Sequence, residues 1–242
     1  MDVCHRQDLG RSELKFNTFK DLMHISKEGI CRDFFLENRK NIRIKKEDVA
    51  VRNLVKIFDA ALAISNKKGF STMSMRDLSA GTGLSMGALY NCFSSKDDLL
   101  DMIQKQGRTV VIKILTDCIS GVDDPRQKLR RTVQTHLYLS EVMQPWFYFS
   151  YMETKNLKKE EHKRAIESEL ATEKVFLDII KEGISSGIFS PVDAGLIAAA
   201  IKATLQDWYL KRWKYEGRKV TVEDYSHFLV DFIESYLLPG KN

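Results

Sequence analysis

Between residues 74 and 98 the chain signals three helix starts in quick succession, and this stretch constrains the fold more than any other. Ser74 with Asp77 three residues on reads as a capping box, hydroxyl and carboxylate each satisfying an N–H that a helix start leaves over. Gly81-Thr82-Gly83 breaks the helix that follows, whose inward face is Leu78. Ser85 caps a second short helix through Met86, Gly87, Ala88, Leu89, Tyr90, Asn91, Cys92 and Phe93. Ser95 with Asp98 opens a third through Leu99, Leu100, Ile103, Val110 and Ile114. Two short helices joined by a glycine turn describe a helix-turn-helix. In such a motif the first helix braces the second, whose N-terminal half enters the DNA major groove.

The flanks are helical as well. Val51, Leu54, Val55, Phe58, Ala61 and Leu62 form one apolar stripe, stopped by Gly69 after Lys67 and Lys68. Downstream, Pro125 begins a helix to about 144, and an aromatic segment covers 146–155. Further helices span 159–186, 192–214 and 221–238. Only 4 prolines and 13 glycines interrupt 242 residues. The expected fold is therefore all-α. Residues 1–44 form an N-terminal extension that reads in two ways: short helices over Leu14, Phe16, Phe19, Leu22, Met23 and Ile25 and over Ile30, Phe34, Phe35 and Leu36, packed on the body, or a partly ordered arm. Residues 45–100 form a three-helix helix-turn-helix domain, and 101–242 a larger helical domain.

The stretch from Gly69 to Leu100 resembles the DNA-binding region of the TetR family. The matching positions are Gly69, Arg76-Asp77-Leu78, Gly83, Ser85-x-Gly87-x-Leu89-Tyr90-x-x-Phe93 and Lys96-Asp97-Asp98-Leu99. The extension is longer than the family's usual arm, and Cys92 stands where a histidine or aromatic residue is frequent. The resemblance implies a transcriptional regulator, a homodimer on double-stranded operator DNA released by a small-molecule effector. At the matching positions Gly87 and Ala88 let the backbone approach DNA, Ala88 facing a thymine methyl, while Met86 and Asn91 are candidate base readers. Tyr90 is similar to the family's phosphate-contacting tyrosine, with a buried brace as the alternative. Ser74 and Ser85 are hydroxyl donors to phosphate, Lys96 lies at a helix N-terminus that attracts phosphate, and Arg76 reaches base or backbone. Arg43, Lys45 and Lys46, in a basic run from Arg39, read either as a solvated face or as an arm along the backbone or minor groove.

In the family the C-terminal helices bind effector and dimerise. Leu196, Ala200 and Ala203 on one helix, with Leu229 and Ile233 on another, can build a four-helix interface or a core within one subunit. The aromatic run that holds Trp146 and Phe149 reads as core or as pocket; as a pocket, Trp146, Phe149, Met152 and Glu153, joined by Trp208 and Arg212, are candidate ligand-binding residues, since small-molecule sites are mostly apolar with a few polar groups. Glu153-Thr154-Lys155 and the run from Asp207 to Trp213 are similar to TetR-like regulators of fatty-acid or aromatic-acid breakdown that sense acyl-CoA thioesters. That implies an acyl-CoA or hydrophobic carboxylate effector. Binding would shift the population away from the state whose two recognition helices match major grooves about 34–36 Å apart.

Other classes find little support. No HExxH, P-loop, GxSxG or paired metal-ligand spacing occurs among the five histidines, so neither catalytic residues, metal nor cofactor is expected. An effector-free architectural DNA binder would leave half the chain without a task, and a helical enzyme would lack a recognisable centre. The four scattered cysteines suit a reducing cytoplasm. No signal-peptide core or membrane-length apolar run is present, so no membrane partner is expected.

Overall fold

A computed structural model describes residues 15–22 and 27–240. Among them are twelve α-helices, one short 3₁₀ turn (Thr154–Asn156) and no strand. In order the helices are α1 (Phe16–Leu22), α2 (Lys27–Glu37), α3 (Glu47–Lys68), α4 (Met75–Thr82), α5 (Met86–Tyr90) and α6 (Lys96–Asp117). Then come α7 (Pro125–Val142), α8 (Gln144–Glu153), α9 (Lys159–Ser185), α10 (Ala194–Leu210), α11 (Arg212–Gly217) and α12 (Val222–Leu237). The extension thus contributes two helices, while Leu14, Met23 and Ile25 lie outside the described residues.

The chain divides into two compact units that interleave in sequence. One comprises Ile25–Val110 with Pro145–Ala165, and the other the remainder. This partition does not follow the sequence boundaries expected near 44 and 100. In the first unit α2 lies on α3, with the Phe34 and Phe58 rings edge to face at 5.7 Å. Lys27 pairs with Asp59 at 2.8 Å, and Arg32 bridges Glu47 and Asp48 at the start of α3. The fully buried Ala50, Leu54, Ile57 and Ala61 are the inward stripe of α3, and Leu78 and Leu89 carry α4 and α5 onto the same core. The residues 145–165 belong here for a physical reason. Phe149 packs edge-on against Phe70 at 5.8 Å, and the Trp146 indole donates to the Ile103 carbonyl at 3.0 Å. The Ser150 hydroxyl donates to Gln104 Oε1 at 2.7 Å, and Gln104 Nε2 donates to the Ser150 backbone carbonyl at 3.3 Å.

In the second unit α1, α10 and α12 pack on α7. Phe16 and Phe19 close on Tyr138 at 5.4 and 5.6 Å, and the Phe16 N–H donates to Glu223 at 2.8 Å. The α12 start is a second capping box, Thr221 with Asp224. Arg126 and Arg130 of α7 both grip the Glu234 carboxylate of α12. Burial pushes that carboxyl up, and the two guanidiniums more than offset it, holding it at about 2.

Candidate nucleic-acid interface

The local chemistry of α4 and α5 decides what they present. Ser74 caps α4: its hydroxyl oxygen accepts from the Asp77 N–H at 3.1 Å while Asp77 accepts from the Ser74 N–H and hydroxyl, both at 2.7 Å. The Lys68 ammonium at 2.9 Å, then these Ser74 bonds, hold the Asp77 carboxyl well below the usual carboxylate range. Gly83 ends α4 at φ 69°, the left-handed region where glycine costs least. Ser85 then caps α5, accepting from the Ala88 N–H at 3.2 Å. With Leu89 and Phe93 buried, the opposite side of α5 faces outward.

That outward side carries Ser85, Met86, Gly87, Tyr90 and Asn91, all exposed, with Ala88 half-buried, and Arg76 of α4 is exposed as well. Tyr90 is 41% exposed and its ring stands 6.3 Å from Phe93, so it is a surface residue rather than a buried brace. A Cβ built on Gly87 would meet nothing within 4 Å, so no group of this chain demands a glycine there. The Arg43 N–H donates to the Asn91 carbonyl at 2.9 Å, which fixes Arg43 beside the end of α5, with Lys45 and Lys46 exposed further along.

Two expected phosphate donors are differently employed. The Ser74 hydroxyl proton is given to Asp77, because the capping box uses both partners reciprocally. The Lys96 ammonium donates to the Ser71 carbonyl at 2.8 Å and lies 5.0 Å from the Phe70 ring centre. Burial pulls it below the ordinary lysine range. Cys92 also turns inward, where burial pushes its thiol up to about 11.

The candidate ligand residues fall into both units. Trp146, Phe149, Met152 and Glu153 lie on α8 in the first. There Glu153, 5% exposed, accepts the Phe70 N–H at 2.9 Å, and Trp146 sits against Gly107 so closely that a Cβ there would fall 1.8 Å from the indole. Met152 is exposed. Trp208 and Arg212 lie in the second unit, both bound to Glu141, with Trp208 also 5.0 Å from the Tyr215 and Tyr225 rings. Each of these polar groups is already matched within its own unit.

Sequence reasoning passed over a buried polar cluster in the second unit. Lys202, 4% exposed, donates to Thr172 at 2.9 Å and pairs with Glu169 at 3.3 Å. His136 is also buried; burial, then the Lys202 charge, keeps its imidazole neutral well below the usual range. The signal was present: Lys202 falls on the inward set of α10 with Ala198, Ile201 and Leu205.

The expected subunit interface needs correction. Leu229 and Ile233 are 0% and 6% exposed, spent in the core of their own unit. The outward apolar face of α12 is Phe228, Phe232 and Tyr236, each above 60% exposed, and that of α10 is Leu196 with Ala200 and Ala203. No helix of the described residues is long and apolar enough to cross a membrane.

Comparison with known proteins accounts for most of the chain. Residues 57–103 match the family described as bacterial regulatory proteins, tetR family, and residues 122–235 match the tetracyclin repressor-like C-terminal domain. The chain is similar to the HTH-type transcriptional regulator HbdR of Aromatoleum sp. (strain CIB), 22% identical over 75% of this chain and 79% of that one. It is similar to the HTH-type transcriptional repressor KstR2 of Mycobacterium tuberculosis, 23% identical over 69% and 84%. Among solved structures, a tetR-family regulatory protein from Rhodococcus RHA1 superposes with TM-score 0.71 at 22% identity, covering 78% of this chain and 98% of that one. AibR, solved with isovaleryl coenzyme A and operator DNA, gives TM-score 0.67 at 17% identity over 78% and 100%. FadR of Bacillus subtilis, solved with stearoyl-CoA, gives 0.61 at 19% over 74% and 96%.

Proposed function

The chain belongs to the TetR family of bacterial regulatory proteins, and from that premise we propose that it is a homodimeric repressor that leaves its operator when an acyl-CoA or hydrophobic carboxylate binds. The observation that carries the DNA half is the outward side of α5. A helix capped at Ser85 and anchored by Leu89 shows Met86, a bare Gly87, Tyr90 and Asn91 to solvent, and Arg76 of α4 stands exposed beside them in sequence. Met86 and Asn91 read base edges, Asn91 being able to bond adenine bidentately. Arg76, Ser85 and Tyr90 hold phosphates and so set register rather than sequence. The exposed apolar faces of α10 and α12 supply the isologous contact that places two such helices on one palindrome.

The effector class rests on two structural neighbours solved with acyl-CoA thioesters. The helices of the second unit receive it, and Lys202 with Thr172 supplies polar groups for a ligand otherwise held by apolar side chains. No residue is assigned a catalytic, metal-binding or cofactor-binding task. The site of action is the cytoplasm, with the DNA. The reading is tested by footprinting the region upstream of its own gene and adding acyl-CoAs of increasing chain length. A protected palindrome lost on addition of one chain-length class supports the proposal. Protection indifferent to every acyl-CoA and free acid would overturn the effector half, because a ligand shifts an equilibrium only through differential affinity.

A further inference from the structure

The turn between α2 and α3 combines an unusual electrostatic arrangement with a fixed conformation. Asn38 closes the end of α2, its side chain donating to the Phe34 carbonyl at 2.9 Å and its own carbonyl accepting the Asn41 N–H at 2.9 Å. Ile42, 6% exposed, anchors the segment in the core, and the next N–H, that of Arg43, is bonded to the Asn91 carbonyl at the end of α5. The segment is therefore held at both ends, by α2 and by the helix that faces DNA. Along it Arg39, Lys40, Arg43, Lys45 and Lys46 are exposed, and none has an ion-pair partner among the described residues. Arg39 lies only over the Phe35 ring, at 5.7 Å.

Exposed Glu37 precedes the segment at the end of α2, while Glu47 and Asp48 follow it directly and open α3, where their carboxylates would oppose an approaching phosphate. Both are engaged by one guanidinium, Arg32 of α2. The helix that the extension adds thus does two things at once. It pins the basic segment, and its Arg32 offsets one of the two negative charges that follow that segment. Ordering the arm before binding removes part of the conformational entropy that a loose arm would lose on the DNA.

We propose that residues 39–46, pinned between α2 and the end of α5, form a second DNA-contacting element on phosphates flanking the base pairs that α5 reads, with Arg32 as its positioning residue. This rests on the operator-binding reading above. Arg39, Arg43, Lys45 and Lys46 neutralise phosphate, and Arg32 acts through Glu47 and Asp48 without touching DNA.

The test starts with duplexes that the wild-type full chain selects from a random-sequence pool. Failure to enrich any sequence would overturn the operator-binding reading itself, separately from this one. With an enriched duplex, affinity is measured from about 50 to 200 mM salt for the wild type, for Arg43→Gln/Lys45→Gln/Lys46→Gln, and for Arg32→Ala with and without Glu47→Gln/Asp48→Asn. Each phosphate contact contributes a slope of about 0.9 in log affinity against log salt, so the triple variant should be shallower by roughly 2 to 3 and keep its preferred sequence. Arg32→Ala should weaken binding several-fold, and neutralising the two acids should restore it. A wild-type slope in the triple variant overturns the proposal. So does an Arg32 loss that the acid substitutions do not rescue, since that would mark Arg32 as merely structural.

Discussion

Replacing Gly87 by alanine should move stability and DNA binding in opposite directions. A Cβ at this position meets no atom of the chain within 4 Å, and the residue lies inside α5 with no left-handed φ to maintain. Alanine then gains helix propensity, about 0.5–1 kcal/mol. At roughly 2–4 °C per kcal/mol for a chain of this size, the melting temperature should rise by about 1–4 °C. On DNA the same methyl stands where the backbone approaches the groove, lifting Met86 and Asn91 away from base edges. Loss of one good base contact costs about 1–3 kcal/mol, so operator affinity should fall by about 5-fold to about 150-fold. Differential scanning calorimetry and fluorescence anisotropy on a labelled operator duplex measure the two effects on one preparation. An unchanged affinity would refute the close approach of α5 to DNA. A lowered melting temperature would refute the open space around Gly87.

Three further outcomes follow from contacts in the two units. Glu153→Ala strands the buried Phe70 N–H, which should cost about 1–3 kcal/mol in urea unfolding and speed hydrogen exchange at the Phe70 amide; unchanged protection there would refute the bond. Phe228→Glu/Phe232→Glu should leave the helical circular dichroism intact, since both side chains are more than 60% exposed, yet yield a monomer by sedimentation and weaken operator binding. The Glu234 carboxyl lies at about 2, below its ordinary 4.5, so its contribution is complete above pH 4.5 and fades as pH falls toward 2. Glu234→Gln should flatten that part of the curve of urea midpoint against pH, and an unaltered curve would refute the contribution of the two guanidiniums.

What the sequence disclosed was local. The capping box of Ser74 and Asp77, the Ser85 cap and the Gly83 stop are decided within four residues, and each stands where its spacing placed it. Thr221 with Asp224 carries the same spacing and was passed over, although it starts α12 in the same way. Long-range partnership was not legible. Nothing near Glu153 announces that its carboxylate serves a backbone N–H 83 positions earlier, or that the aromatic run of α8 completes the core around Phe70. The α12 helix shows a further limit. Leu229 and Ile233 share its apolar character with Phe228 and Phe232, and composition alone does not tell which face meets the core. Lys202 escaped notice because its residue type argues for solvent, while its position on α10 argues for the interior.

The interleaving of the two units limits how the protein can be taken apart. A fragment ending near residue 100 carries the whole helix-turn-helix motif, yet it lacks Trp146, Phe149 and Glu153, which the other segment of the same unit inserts around Ile103 and Phe70. Such a fragment would leave the Phe70 N–H unbonded and an aromatic socket open to water. A chimaera made by exchanging contiguous N-terminal halves inherits the same defect unless residues 145–165 travel with the DNA reader. Re-targeting this regulator to another promoter is therefore a two-segment graft, and the natural drift of its operator specificity must be tolerated by a helix encoded well downstream of the DNA reader.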